Sequence, residues 1–169
     1  MDRLSHDSDD AARREHYAGV RAEIEALVEG STDWISAMAT VASELHGAFD
    51  YFHWTGFYRL VKPELLVVGP YQGGHGCLEI TLDRGVCGAA ARERATQRVA
   101  DVEAFPGHIA CSSTTRSEIV VPVISPAGRI LGVLDVDSDL PDIFTDADQD
   151  ALESLCAWLG ERWADTEFV

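Results

Sequence analysis

Apolar positions change period along this chain, from helical spacing to alternation and back to helical spacing, and the changes divide it into elements. From Arg13 to Glu29, Tyr17, Val20, Ile24, Leu27 and Val28 recur three or four residues apart, which predicts an amphipathic helix ended by Gly30. Ser31-Thr32-Asp33 can then cap a second helix running to His46-Gly47, with Trp34, Ile35, Met38, Val41, Ala42 and Leu45 on its inner face. The middle of the chain alternates instead. Residues 51–60 are aromatic and partly alternating, Lys62-Pro63-Glu64 reads as a turn, and 65–71 is apolar again, so the pair predicts a hairpin.

Residues 78–82 predict a short strand. Gly85-Val86-Cys87-Gly88 leads into a helix expected over Ala89 to Arg94, and Arg98 to Val102 is another short extended piece. A polar loop follows, Phe105 to Thr115. Two clearer strands, 118–124 and 130–137, are joined by Ser125-Pro126-Ala127-Gly128-Arg129, and so short a turn makes them antiparallel neighbours. A last helix begins near Thr145 and carries Leu152, Leu155, Cys156, Leu159 and Trp163 at helical spacing.

That order predicts an α+β domain, a central antiparallel sheet flanked by N-terminal and C-terminal helices. The length, 169 residues, and an apolar fraction of 46% suit a single core, expected over residues 13–165. Residues 1–12 are polar and charged and read as a mobile tail. The net charge of -16 offers no basic stripe to a phosphate backbone, so nucleic acid is not an expected partner. No run is apolar enough to span a membrane and the first residues do not resemble a signal peptide, so the expectation is a cytoplasmic protein.

In that compartment four cysteines are not expected to form structural disulfides. Cys156 shares the apolar stripe of the last helix and reads as a buried structural thiol. The other three, Cys77, Cys87 and Cys111, lie in the glycine-rich and polar middle. With His75 and His108 they offer zinc-ligand types, but the spacings lack the close C-x-x-C pairing of zinc sites. A redox pair fits better, because a nucleophilic thiolate needs access and a partner thiol within reach. His108 and Arg116, near Cys111 in sequence, would favour its thiolate.

Three acids complete the candidate site. Asp135 and Asp137 flank Val136 and face one side of their strand, either leaving the core for solvent or entering a site. Glu118 begins the partner strand, so the three carboxylates are expected to converge. Trp54 and Tyr58 read as core, although their even spacing would also let both rings wall a pocket.

Phe57-Tyr58, Gly69-Pro70-Tyr71-Gln72-Gly73, Gly85-Val86-Cys87-Gly88, Thr96-Gln97, Phe105-Pro106-Gly107-His108-Ile109-Ala110-Cys111, Arg116 to Pro122 and Gly132 to Ser138 together resemble the free methionine-(R)-sulfoxide reductases, which are single GAF domains. The resemblance runs from about Tyr17 to Leu159. It implies reduction of the R sulfoxide of free methionine without metal or organic cofactor, with recycling by thioredoxin. It also implies that Cys111 is the attacking cysteine, Cys77 the resolving one and Cys87 an auxiliary thiol. Glu118, Asp135 and Asp137 then surround the sulfoxide oxygen and substrate amine, and Trp54 and Tyr58 wall the S-methyl group. Backbone N–H groups near Ile109, Ala110 and Cys111 are expected at the substrate carboxylate. Pairing into a homodimer through the N-terminal helices is a further expectation. Two other classes stay open on sequence: a GAF sensor module for a small ligand, and a thiol redox switch.

Overall fold

The computed structural model describes residues 2–107 and 112–165. Helices α1 (Asp10–Leu27) and α2 (Trp34–Ala48) precede strands β1 (Trp54–Lys62), β2 (Leu65–Gln72) and β3 (Glu79–Thr81). Helix α3 (Gly85–Glu93) and strand β4 (Gln97–Val99) follow, then β5 (Ser117–Ile124), β6 (Ile130–Ser138) and α4 (Asp146–Arg162). The strands form one antiparallel sheet in the order β3-β2-β1-β6-β5-β4. This is the α+β arrangement that the periodicities predict.

The two faces of the sheet bury different things because side chains alternate along each strand. On β5 and β6, Ile119, Val121, Val123, Leu134 and Val136 join the larger core beneath α1, α2 and α4. Their neighbours in sequence point to the opposite face, where Val120 and Val133 meet α3, Trp54 and Tyr58 in a second, smaller core. Asp135 and Asp137 share that second face. The register then sets Glu118 opposite Asp137 and Gly56 opposite Asp135, at the end of the sheet where β5 starts and β6 finishes.

The N-terminal residues depart from the mobile tail expected over 1–12. The backbone of Leu4 bonds to both sides of Phe49, its N–H donating to Ala48 O at 2.7 Å and its carbonyl accepting from Asp50 N at 3.0 Å. The Leu4 side chain packs on the larger core and Arg3 donates to Phe49 O. Asp9 caps α1, which therefore starts at Asp10 rather than Arg13. Buried Arg13 also pairs with Asp148, whose carboxylate accepts from Tyr17 and Tyr51 hydroxyls at 2.9 and 2.7 Å and from Thr145 N at 2.8 Å. A buried carboxylate is tolerated only when its lone pairs are filled in this way.

Three boundaries also shift. β1 starts at Trp54 because Tyr51 and Phe52 turn inward, Tyr51 to Asp148 and Phe52 to stack on Phe49. α3 starts at Gly85, four residues before the expected Ala89. The piece expected over 98–102 is a strand only to Val99, and Val102 opens a 3₁₀ turn whose N–H donates to Arg116 O. No described helix is long and apolar enough to cross a membrane.

Candidate active site

The second face of the sheet ends in a cleft lined by Trp54 and Tyr58 from β1, Cys87 from α3, Glu118 from β5, and Asp135 and Asp137 from β6. His75 and Thr115 complete its rim. One wall is aromatic. Trp54 stacks between Tyr58 and Tyr71, at centroid distances of 5.8 and 5.2 Å, and its indole N–H donates to Gly74 O. The β2–β3 connection lies directly on this wall: a side chain at Gly76 would bring a Cβ to 2.9 Å from Tyr58 Oη and 3.0 Å from the Trp54 ring. Only glycine allows that approach, and it leaves Cys77 half-buried against the same apolar cluster.

The opposite wall is acidic and nearly dry. Glu118 and Asp135 are 6% and 5% exposed, and one carboxyl oxygen of each lies within 4.8 Å of the other and of Cys87 Sγ. Burial, followed by the charges of Asp135 and Asp137, holds the Glu118 carboxyl well above the usual carboxylate range. Asp137 is raised well above it by burial and by Asp135 and Asp139. Asp135 is raised to about 7 by burial, against hydrogen bonds from Cys87 and Glu118 that favour its charge. Tyr58 and Cys87 are pushed up as well, first by burial and then by Asp135, so both keep their protons.

As a carboxylate, Asp135 would have Oδ2 bonded by the Cys87 thiol and, among the described residues, no N–H or hydroxyl donor at Oδ1. Glu118, a carboxyl oxygen of which lies within 4.8 Å of one of Asp135, can hydrogen-bond the Asp135 carboxylate only by carrying a proton. The cluster therefore stores protons at neutral pH. Cys87, Glu118 and Asp135 are close enough together to hold a metal ion, but Cys87 and Glu118 would first have to lose protons that burial retains.

Raised carboxyl groups give stability a definite pH dependence. The native protein binds more protons than the unfolded chain once pH exceeds the ordinary carboxyl value, so stability falls as pH rises. For Asp135 the window lies between 3.8 and about 7. Asp135→Asn removes that penalty. The melting temperature of the variant relative to wild type is expected to rise between about pH 5 and pH 8 by ~3 °C or more, since 1 kcal/mol moves a domain of this size by ~2–4 °C. Parallel melting curves at the two pH values would contradict the burial assigned to Asp135.

Of the residues singled out in the sequence, the cleft unites Trp54, Tyr58, Cys87, Glu118, Asp135 and Asp137, with Cys77 packed on the adjoining cluster. Ile109, Ala110 and Cys111 lie outside the described residues. Cys156 is buried and free, as its helical stripe predicts. Sequence reasoning weighed His75 only as a zinc-ligand type and gave Tyr71 and Thr115 no place in the site. The Gly73-Gly74-His75-Gly76 run was the available signal for the first two, since such a glycine density implies backbone laid close against something.

A GAF domain model matches residues 31–160. The chain is also 38% identical over 156 residues to the free methionine-R-sulfoxide reductase of Escherichia coli (strain K12), covering 92% of this chain and 93% of that protein. This chain belongs to the free methionine-R-sulfoxide reductase family of GAF domains. Among solved structures, the free methionine-R-sulfoxide reductase of Neisseria meningitidis in complex with its substrate is 41% identical, with a TM-score of 0.85 over 97% of this chain and 96% of that one. A putative GAF sensor protein from Burkholderia vietnamiensis is 42% identical, with a TM-score of 0.84 over 92% of this chain and 96% of that one. Within this reductase family fold, the acidic and aromatic walls are supplied by adjacent strands β5, β6 and β1, so the shape of the cleft follows directly from sheet register.

Proposed function

We propose that this protein reduces free L-methionine-(R)-sulfoxide to methionine. The observation that carries the reading is the proton-holding cluster of Glu118, Asp135 and Asp137 facing the Trp54–Tyr58 wall, in a chain so similar to reductases of that substrate. The aromatic wall suits an S-methyl group. An acidic wall with a proton to spare suits both a sulfoxide oxygen, which must leave protonated, and an ammonium group, which needs negative charge.

In the proposed reaction the Cys111 thiolate attacks the sulfoxide sulfur, forming a sulfur–sulfur bond while the carboxyl cluster protonates the oxygen. The protonated oxygen then passes to the Cys111 sulfur as the bonds from the methionine sulfur to oxygen and to Cys111 break, so that Cys111 is left as a sulfenic acid and methionine leaves two electrons richer. The Cys77 thiol then attacks the sulfenic acid, expelling water and forming a disulfide. A dithiol such as thioredoxin takes that disulfide and returns both thiols. Every electron comes from thiols, so no metal or organic cofactor is needed. Backbone N–H groups near Ile109, Ala110 and Cys111 are proposed to hold the substrate carboxylate, and a homodimer through the N-terminal helices remains part of the proposal. A polar, dry cleft of this kind rewards a substrate that fits all its groups, because each missing partner leaves a buried one unmet.

The test is a coupled assay with thioredoxin, thioredoxin reductase and NADPH. Free L-methionine-(R)-sulfoxide is expected to be consumed at least ~10²-fold more efficiently than the S isomer or a peptide-bound sulfoxide. Equal rates on free and peptide-bound substrate would refute the reading. Sensor and redox-switch functions both require that no steady consumption occur, so the same assay separates them.

A further inference from the structure

The proposed chemistry uses two thiols and leaves a third, Cys87, at the centre of the acidic wall. Cys87 lies in the first turn of α3, 4% exposed, and its Sγ donates to Asp135 Oδ2 at 3.4 Å. Its position is fixed by the helix backbone. A Cβ at Gly88 would stand 2.7 Å from the Thr81 carbonyl oxygen and 3.1 Å from that of Leu82, so α3 is seated on the turn after β3 with no room for anything larger. A redox role is hard to reconcile with this place. Exchange requires a thiolate and access, and Cys87 has neither, being enclosed and surrounded by acids that oppose its charge.

We propose that Cys87 is a positioning residue whose thiol hydrogen holds Asp135 Oδ2 and so fixes the orientation of this carboxylate toward Glu118 and the substrate. This rests on the reading of the cleft as a methionine sulfoxide site. The titratable groups that line the cleft with Asp135 are Glu118 from β5, Asp137 from its own strand, Tyr58 from β1, His75 from the β2–β3 connection and Cys87 from α3. The hydrogen bonds from Cys87 and Glu118 favour the charged form of Asp135, while burial opposes it. Glu118 has a second task in the proton store. Cys87 therefore keeps Asp135 able to carry negative charge for the substrate ammonium while its neighbours stay protonated.

The discriminating pair is Cys87→Ala and Cys87→Ser, both lacking sulfur and only the second retaining a donor. Cys87→Ala is expected to lower kcat/KM about tenfold, the size of one hydrogen bond to a charged group, and to move the acid limb of the pH profile upward. Cys87→Ser should recover most of both effects. Equal losses in the two variants would overturn the proposal in favour of a redox thiol, and wild-type behaviour in both would overturn it in favour of a bystander. The substrate-free protein supplies an independent readout: the titration midpoint of Asp135, followed by carboxyl carbon NMR, should rise in Cys87→Ala and return in Cys87→Ser. If the wild-type protein reduces no methionine sulfoxide, the functional reading fails while this titration still decides the role of Cys87. An unchanged midpoint in Cys87→Ala would overturn it.

Discussion

Cys111→Ser is expected to release no methionine even in a single turnover, whereas Cys77→Ser should release one methionine per site and then stall as a sulfenic acid. The electron inventory requires this. Reducing a sulfoxide takes two electrons, and in the proposed route both come from the first sulfur to attack, leaving the second thiol only the task of closing a disulfide. Of the other cysteines, Cys87 and Cys156 are buried free thiols whose protons are held by burial, so neither offers a ready thiolate. A serine hydroxyl cannot take oxygen from sulfur. The loss in Cys111→Ser should therefore reach ~10⁴ or more, as for other nucleophile deletions. Methionine release after rapid mixing, with dimedone trapping of the sulfenic acid, reads both variants. Failure of Cys77→Ser in its first turnover would show that the nucleophile has been assigned to the wrong cysteine.

The parts of the site carried by strands were legible because alternation is a strict rule. Asp135 and Asp137 flank an apolar residue, and a short turn ties their strand to the one that begins at Glu118, so their convergence follows from two local facts. Whether those acids met water or a dry cleft was not legible. That depends on α3 crossing the sheet and on the β2–β3 connection lying against Trp54, contacts between segments far apart in sequence. The same limit explains the N-terminus. Arg13 finds its partner 135 residues away, at Asp148, and no local pattern marks a polar segment that will be bonded to Phe49 and its neighbours. Tyr51 and Phe52 carried strong strand propensity, but burial beneath the helices outweighed it.

The carboxyl cluster should prove nearly as sensitive as the thiols. Glu118→Gln, Asp135→Asn and Asp137→Asn each keep the shape of the side chain, almost enclosed at Glu118 and Asp135 and half-buried at Asp137, while changing the count of protons and charges in a coupled group. Removing a general acid typically loses about 10² to 10⁴ in rate. The loss should appear in the chemical step itself, because the sulfur–oxygen bond breaks only as the oxygen gains a proton. The amides should not unfold the protein. Burial already favours the neutral form at these positions, so exchanging a carboxyl for a neutral amide removes a cost at neutral pH rather than adding one. Methionine release in a single turnover, measured beside a thermal melt, therefore separates chemistry from stability. The expected result is slow release from a protein that melts at or above the wild-type temperature at about pH 8, where the wild-type cluster bears its largest charge. Wild-type release rates in all three folded variants would leave the thiol chemistry without its proton source and would sink the proposed cluster. A loss confined to Glu118→Gln and Asp137→Asn would narrow the proton store to those two, and would leave Asp135, steadied by Cys87, as the anion that binds the substrate amine.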